Sequence, residues 1–117
     1  MRILIVAISA LLTVMVGTAA EAHAFLDHAE PRVGSTVPTA PRELSLSFTQ
    51  KLEPAFSSVE VSDANGTRVD LGKPSVSASV MRIRLKQLSA GTYRVRWHVL
   101  SVDTHTTEGS FTFQVGQ

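Results

Sequence analysis

A chain of 117 residues with a formal net charge of +1 has room for one domain. Its 44% hydrophobic and 18% charged residues exclude a disordered chain, a collagen-like repeat and a strongly basic nucleic-acid arm. The absence of cysteine excludes disulfides, thiolate metal sites and cysteine nucleophiles, which leaves chemistry to His, Asp, Glu, Ser, Thr, Lys, Arg or the backbone.

The first stretch reads as a targeting segment. Met1-Arg2 is a short positive end, Ile3 to Val16 an almost unbroken apolar run, and small residues follow. Ala20 and Ala22 fit an A-x-A cleavage site, and the run is shorter than the ~20 residues a membrane-spanning helix needs. The expectation is a cleaved signal peptide over residues 1–22 and an exported domain over 23–117 that does not itself span a membrane. That domain begins on His23 and keeps the same net charge, because Arg2 and Glu21 leave together.

Beyond it, short alternating runs are separated by turns. Glu43 to Phe48 alternates polar and apolar, as a half-buried strand does. Ser57 to Ser62 carries Val59 and Val61 on one face, Asp63-Ala64-Asn65-Gly66 supplies turn residues, and Thr67 to Leu71 returns as the second arm of a hairpin. Val80 to Lys86 turns Met81, Ile83 and Leu85 inward and Arg82, Arg84 and Lys86 outward. After Ala90-Gly91, Thr92 to Val99 places Tyr93, Val95, Trp97 and Val99 on one face, and Gly109 to Val115 does the same with Phe111, Phe113 and Val115. No helical period follows the first segment, and prolines fall between the runs. About seven short strands predict an all-β fold, a small antiparallel Greek-key barrel or sandwich.

Two features suggest chemistry. A free N-terminal His23 offers its α-amine and an imidazole nitrogen as a chelate, with ordinary pKa values near ~8 and ~6.5 that a metal ion can displace near neutrality. Nitrogen pairs of this kind favour tetragonal Cu(II), although any residue can follow a cleavage site. The second feature is Ser101-Val102-Asp103-Thr104-His105. In extended chain, residues i and i+2 project to one side, so Asp103 and His105 can converge on one ion; a solvated turn is the plainer alternative. Together the two features supply parts of one mixed nitrogen and oxygen site suited to Cu(II).

The sequence also resembles a known family. His23-Ala24-Phe25-Leu26 with Glu30-Pro31, then Glu53-Pro54-Ala55-Phe56, then Trp97 to His105 and Gly109 to Val115, are similar in order to the CopC family of periplasmic copper-binding proteins. The resemblance implies a cupredoxin-like or immunoglobulin-like Greek-key β-fold. It also implies a Cu(II) site built from His23, Asp103 and His105. Three departures stand out. Thr104 replaces a common glycine, which would strain a position needing positive φ. Gln50 stands near where relatives carry a glutamate. The methionine-rich Cu(I) loop of some relatives is absent, and Met81, the one methionine after the first segment, alternates with core residues, which implies a Cu(II)-only member.

Weaker candidates remain. His28 reads as a surface histidine rather than a fourth ligand, and His98 as a solvent-facing strand residue. Trp97 belongs to the core. Arg82, Arg84, Lys86, Arg94 and Arg96 are expected to form a basic face on paired strands, either solvated or docking an acidic partner. The leading expectation is a monomeric periplasmic Cu(II) carrier, not an enzyme. By resemblance it would pass copper to an inner-membrane partner of the CopD type. The alternatives are a copper redox enzyme using His23 and His105 as a histidine brace, and a structural exported β-domain without metal.

Overall fold

The computed structural model describes residues 25–116. Eight strands are found among them: β1 (Leu26–Glu30), β2 (Thr36–Val37), β3 (Glu43–Phe48), β4 (Ser58–Asp63), β5 (Asp70–Ser77), β6 (Val80–Leu85), β7 (Gly91–Leu100) and β8 (Thr106–Val115). Among the same residues the helical element is a single 3-10 turn, Pro54–Phe56. No helix of the described residues is long and apolar enough to cross a membrane.

The strands form two sheets, β1-β3-β6-β5 and β2-β8-β7-β4. The pairings β3–β6 and β4–β7 join strands distant in sequence, so the chain crosses between the sheets in Greek-key fashion. All pairs are antiparallel except β2 against β8, a two-residue parallel contact that makes its sheet mixed. The alternation read from the sequence determines which side chains meet. Leu44, Leu46 and Phe48 of β3 and Met81, Ile83 and Leu85 of β6 face Val59 and Val61 of β4, Val95 and Val99 of β7, and Phe111 and Phe113 of β8 in one buried cluster. Each such side chain contributes on the order of 1.5–3 kcal/mol by leaving water. Met81 is fully buried there. Trp97 packs against the same cluster, its ring edge-on to Phe48 across the two sheets with centroids 5.2 Å apart. Its neighbour on β8 is Gly109, where an added Cβ would stand 2.7 Å from Trp97 Cζ2.

Two expectations about the surface change. The second arm of the hairpin after β4 does not stay beside it. Asp63 N–H donates to Thr67 O and Val69 N–H to Val61 O, and the chain then crosses to pair as β5 with β6 in the other sheet. Asp70 anchors the crossing: its carboxylate accepts from the Val61 N–H at 2.8 Å and from two nitrogens of Arg68 at 2.9 Å each. The basic residues, moreover, do not share a face. Arg82 and Arg84 lie on β6 and Arg94 and Arg96 on β7, and these strands belong to different sheets, so their exposed side chains point to opposite sides of the sandwich.

At one end of the sandwich, residues 49–53 carry the chain from β3 towards β4 and act as a seam. Thr49 donates its N–H to Phe25 O at 2.9 Å, and the Thr49 hydroxyl accepts from Phe25 N–H. Leu52 N–H donates to Ala78 O, Glu53 N–H to Leu100 O, and Lys51 O accepts from Val102 N–H at 3.0 Å. This segment therefore ties the start of β1, the β5–β6 turn and the loop after β7 together.

Candidate metal centre

The loop between β7 and β8 is five residues, Ser101 to His105, closing a ladder whose last pair is Leu100 with Thr106. Ser101 N–H donates to His105 O and Thr104 N–H to Ser101 O, each at 2.9 Å, so the segment is a tight turn. The expected extended D-x-H geometry is thus replaced by a turn, and the turn does the converging. Thr104 takes φ 71°, the left-handed region that the sequence flagged as straining a threonine. Asp103 and His105 end up side by side, with His105 Nδ1 3.5 Å from Asp103 Oδ1, both about half exposed at the end of the sandwich.

Ser101 lies beneath them with no solvent exposure. Its hydroxyl donates to Asp103 Oδ1, and the hydroxyl oxygen in turn accepts from the His105 backbone N–H at 3.4 Å. The Ser101 hydrogen bond, opposed by slight desolvation and helped by His105, holds the Asp103 carboxyl below the usual carboxylate range. That direction favours the anionic form, the one that binds a metal ion.

The remaining sequence candidates are dispersed. His23 and the expected cleavage site lie outside the described residues. His28 is exposed on β1 with Nδ1 3.2 Å from Asp27 Oδ2. His98 faces solvent on β7, paired between Ser58 of β4 and Glu108 of β8. Gln50 is half-buried in the seam. No group of three or more His, Asp or Glu side chains able to hold a metal occurs among the described residues. The sequence reading passed over Ser101. The signal was available in Ser-x-Asp, a spacing at which short polar side chains bond locally within a turn.

A two-sheet Greek-key sandwich with a paired Asp and His at the hairpin tip defines the class of this protein as a small β-sandwich with ligand-type side chains exposed at one end. The chain belongs to the CopC family, whose domain model matches residues 26–116. It is 34% identical over 110 residues to Copper resistance protein C of Xanthomonas campestris pv. juglandis, covering 86% of each chain. It is 30% identical over 100 residues to Copper transport protein CutJ of Bacillus subtilis (strain 168), which takes in 82% of this chain and only 18% of that longer one. Among solved structures it is similar to the crystal structure of CopC from Methylosinus trichosporium OB3b, with a TM-score of 0.75 and 31% identity over 80% of this chain and 94% of that one.

Proposed function

We propose that this protein is an exported Cu(II)-binding protein of copper homeostasis or resistance, a binding module rather than an enzyme. The observation that carries the reading is the Asp103–His105 pair, held in one tight turn at the end of the sandwich where the chain enters at Phe25. In this reading residues 1–22 are removed as a signal peptide, and residues 23–117 work in the periplasm as a monomer. Cleavage then frees the His23 amine two residues before Phe25, within roughly 7 Å of chain reach. His23 supplies its amine and imidazole nitrogens, Asp103 a carboxylate oxygen and His105 an imidazole nitrogen. That set is hard to borderline and tetragonal in preference, so it suits Cu(II) better than Cu(I). Met81, the one methionine among the described residues, is buried in the core, which supports the same preference.

Copper is the cargo here, and the work of the chain is to hold it and give it up. Exposure of Asp103 and His105 leaves the ion open to exchange with a second protein. By family resemblance that protein is an inner-membrane transporter of the CopD type. Support for the transport role comes from the likeness to CutJ, a copper transport protein in which a domain like this one is a small part of a longer chain.

The test is Cu(II) titration of residues 23–117 against a form with one extra residue before His23. The extension turns the amine into an amide and removes a nitrogen ligand. Tight one-to-one binding by the mature form, much weakened by the extension and with an altered electron paramagnetic resonance spectrum, is the expected result. Equal affinity of the two forms overturns the chelate.

A further inference from the structure

Ser101 is one of two buried polar residues among the described residues and has no solvent exposure, yet it sits at the base of an exposed loop. A serine hydroxyl has one proton to donate and two lone pairs. Two acceptors lie within reach of that proton, Asp103 Oδ1 and, at 3.2 Å, His105 O. The His105 carbonyl already receives the Ser101 backbone N–H at 2.9 Å. The carboxylate is the charged acceptor and the closer one, so the proton goes to Asp103. The hydroxyl oxygen then faces the His105 N–H at 3.4 Å.

One oxygen thus engages the Asp103 side chain and the His105 backbone at once. The backbone of Ser101 is fixed independently, bridged to Leu52 of the seam and closing the turn with Thr104. Water cannot take over the role of the hydroxyl without entering a site that is closed to it.

We propose that Ser101 is a positioning residue of the metal centre: its buried hydroxyl holds Asp103 Oδ1, and thereby fixes the orientation of the carboxylate beside the His105 ring. This rests on the reading of Asp103 and His105 as ligands. The hydroxyl thus takes one lone pair of Oδ1, on the side turned to His105 Nδ1, and restricts the rotation of the carboxylate. Groups that orient metal ligands in this way typically account for about 10-fold to 100-fold in affinity.

The experiment is a double-mutant cycle on residues 23–117, using Cu(II) affinity and the electron paramagnetic resonance spectrum. Ser101→Ala should weaken Cu(II) binding about 10-fold to 100-fold and alter the spectrum. In an Asp103→Ala background the same change should do almost nothing, because the carboxylate it orients is gone. Wild-type affinity in Asp103→Ala would remove the ligand reading itself. Weakened binding in Asp103→Ala with unchanged binding in Ser101→Ala, or equal losses from Ser101→Ala in both backgrounds, overturns the positioning role alone. Should Ser101→Ala not fold, the wild-type apo protein decides by proton nuclear magnetic resonance. A slowly exchanging Ser101 hydroxyl proton close to the Asp103 side chain supports the proposal, and exchange as fast as that of a surface serine overturns it.

Discussion

Replacing Thr104 with glycine should make the protein more stable. Thr104 holds φ 71°, where an L-residue loses on the order of 1–2 kcal/mol through contact of Cβ with the backbone, and a β-branched one lies at the upper end. Its hydroxyl gives something back by bonding to Asp103 O, but the residue is exposed and water can replace that bond. Glycine removes the strain and adds unfolded-chain freedom, which costs about 0.4–1 kcal/mol. The balance is a gain of about 0.5–1 kcal/mol. With an unfolding entropy of about 2.1 cal/mol/K per residue over roughly 95 residues, that corresponds to a rise of about 2–5 °C in Tm. Thermal melts of the apo protein followed by circular dichroism measure it, with Thr104→Ala as the control that keeps Cβ. A Thr104→Gly variant no more stable than Thr104→Ala would refute the argument, since the two differ at this position only in the atom held responsible.

Two further outcomes are expected. Asp70→Ala should lose about 1–3 kcal/mol by leaving the buried Val61 N–H without its acceptor, measurable by urea titration. Burial pushes the Asp70 carboxyl up, but the Arg68 guanidinium and the Val61 N–H outweigh it and hold the group below its ordinary value. The contribution of that charge is therefore complete above about pH 4, the unfolded value, and is lost as pH falls through the lower folded one, so wild type and variant should converge in acid. Gly109→Ala should cost about 1–3 kcal/mol, because its Cβ meets the Trp97 ring at 2.7 Å, and Trp97 is the one tryptophan, so its fluorescence reports the displacement directly.

What was legible in the sequence was the alternation of strands buried on one face. β3, β6, β7 and the latter part of β8 show it plainly, and Met81 was placed in the core by its spacing from Ile83 and Leu85. β1 went unnoticed because only Ala29 of its five residues is buried and a bulge after Leu26 breaks the period. β5 extends well past the expected return arm, since a register shift between Leu71 and Ser75 lifts Gly72-Lys73-Pro74 out of any alternation. The basic residues were misplaced for a topological reason. Consecutive strands β6 and β7 look like partners in sequence, and nothing local says that the chain changes sheets between them. At the site, Asp103 and His105 were identified by residue type, but by an extended-chain argument that the turn supersedes. The stabilising partner, Ser101, is a small polar residue whose importance comes from burial, and burial at the end of a strand is set by the seam packed over it.

That seam also shapes the chain entropy of the fold. Thr49, Lys51, Leu52 and Glu53 each bond to a different distant part of the chain, at Phe25, Val102, Ala78 and Leu100. The entropy lost in closing a loop grows only with the logarithm of its length, so the first of these contacts bears most of the cost and the others close on partners already near. A five-residue connection with no strand of its own thus becomes a cooperative unit. The loop that carries Asp103 and His105 inherits that cooperativity through one backbone bond at Val102. Its shape is then decided together with the docking of the two sheets, and not by the local preferences of Ser101 to His105.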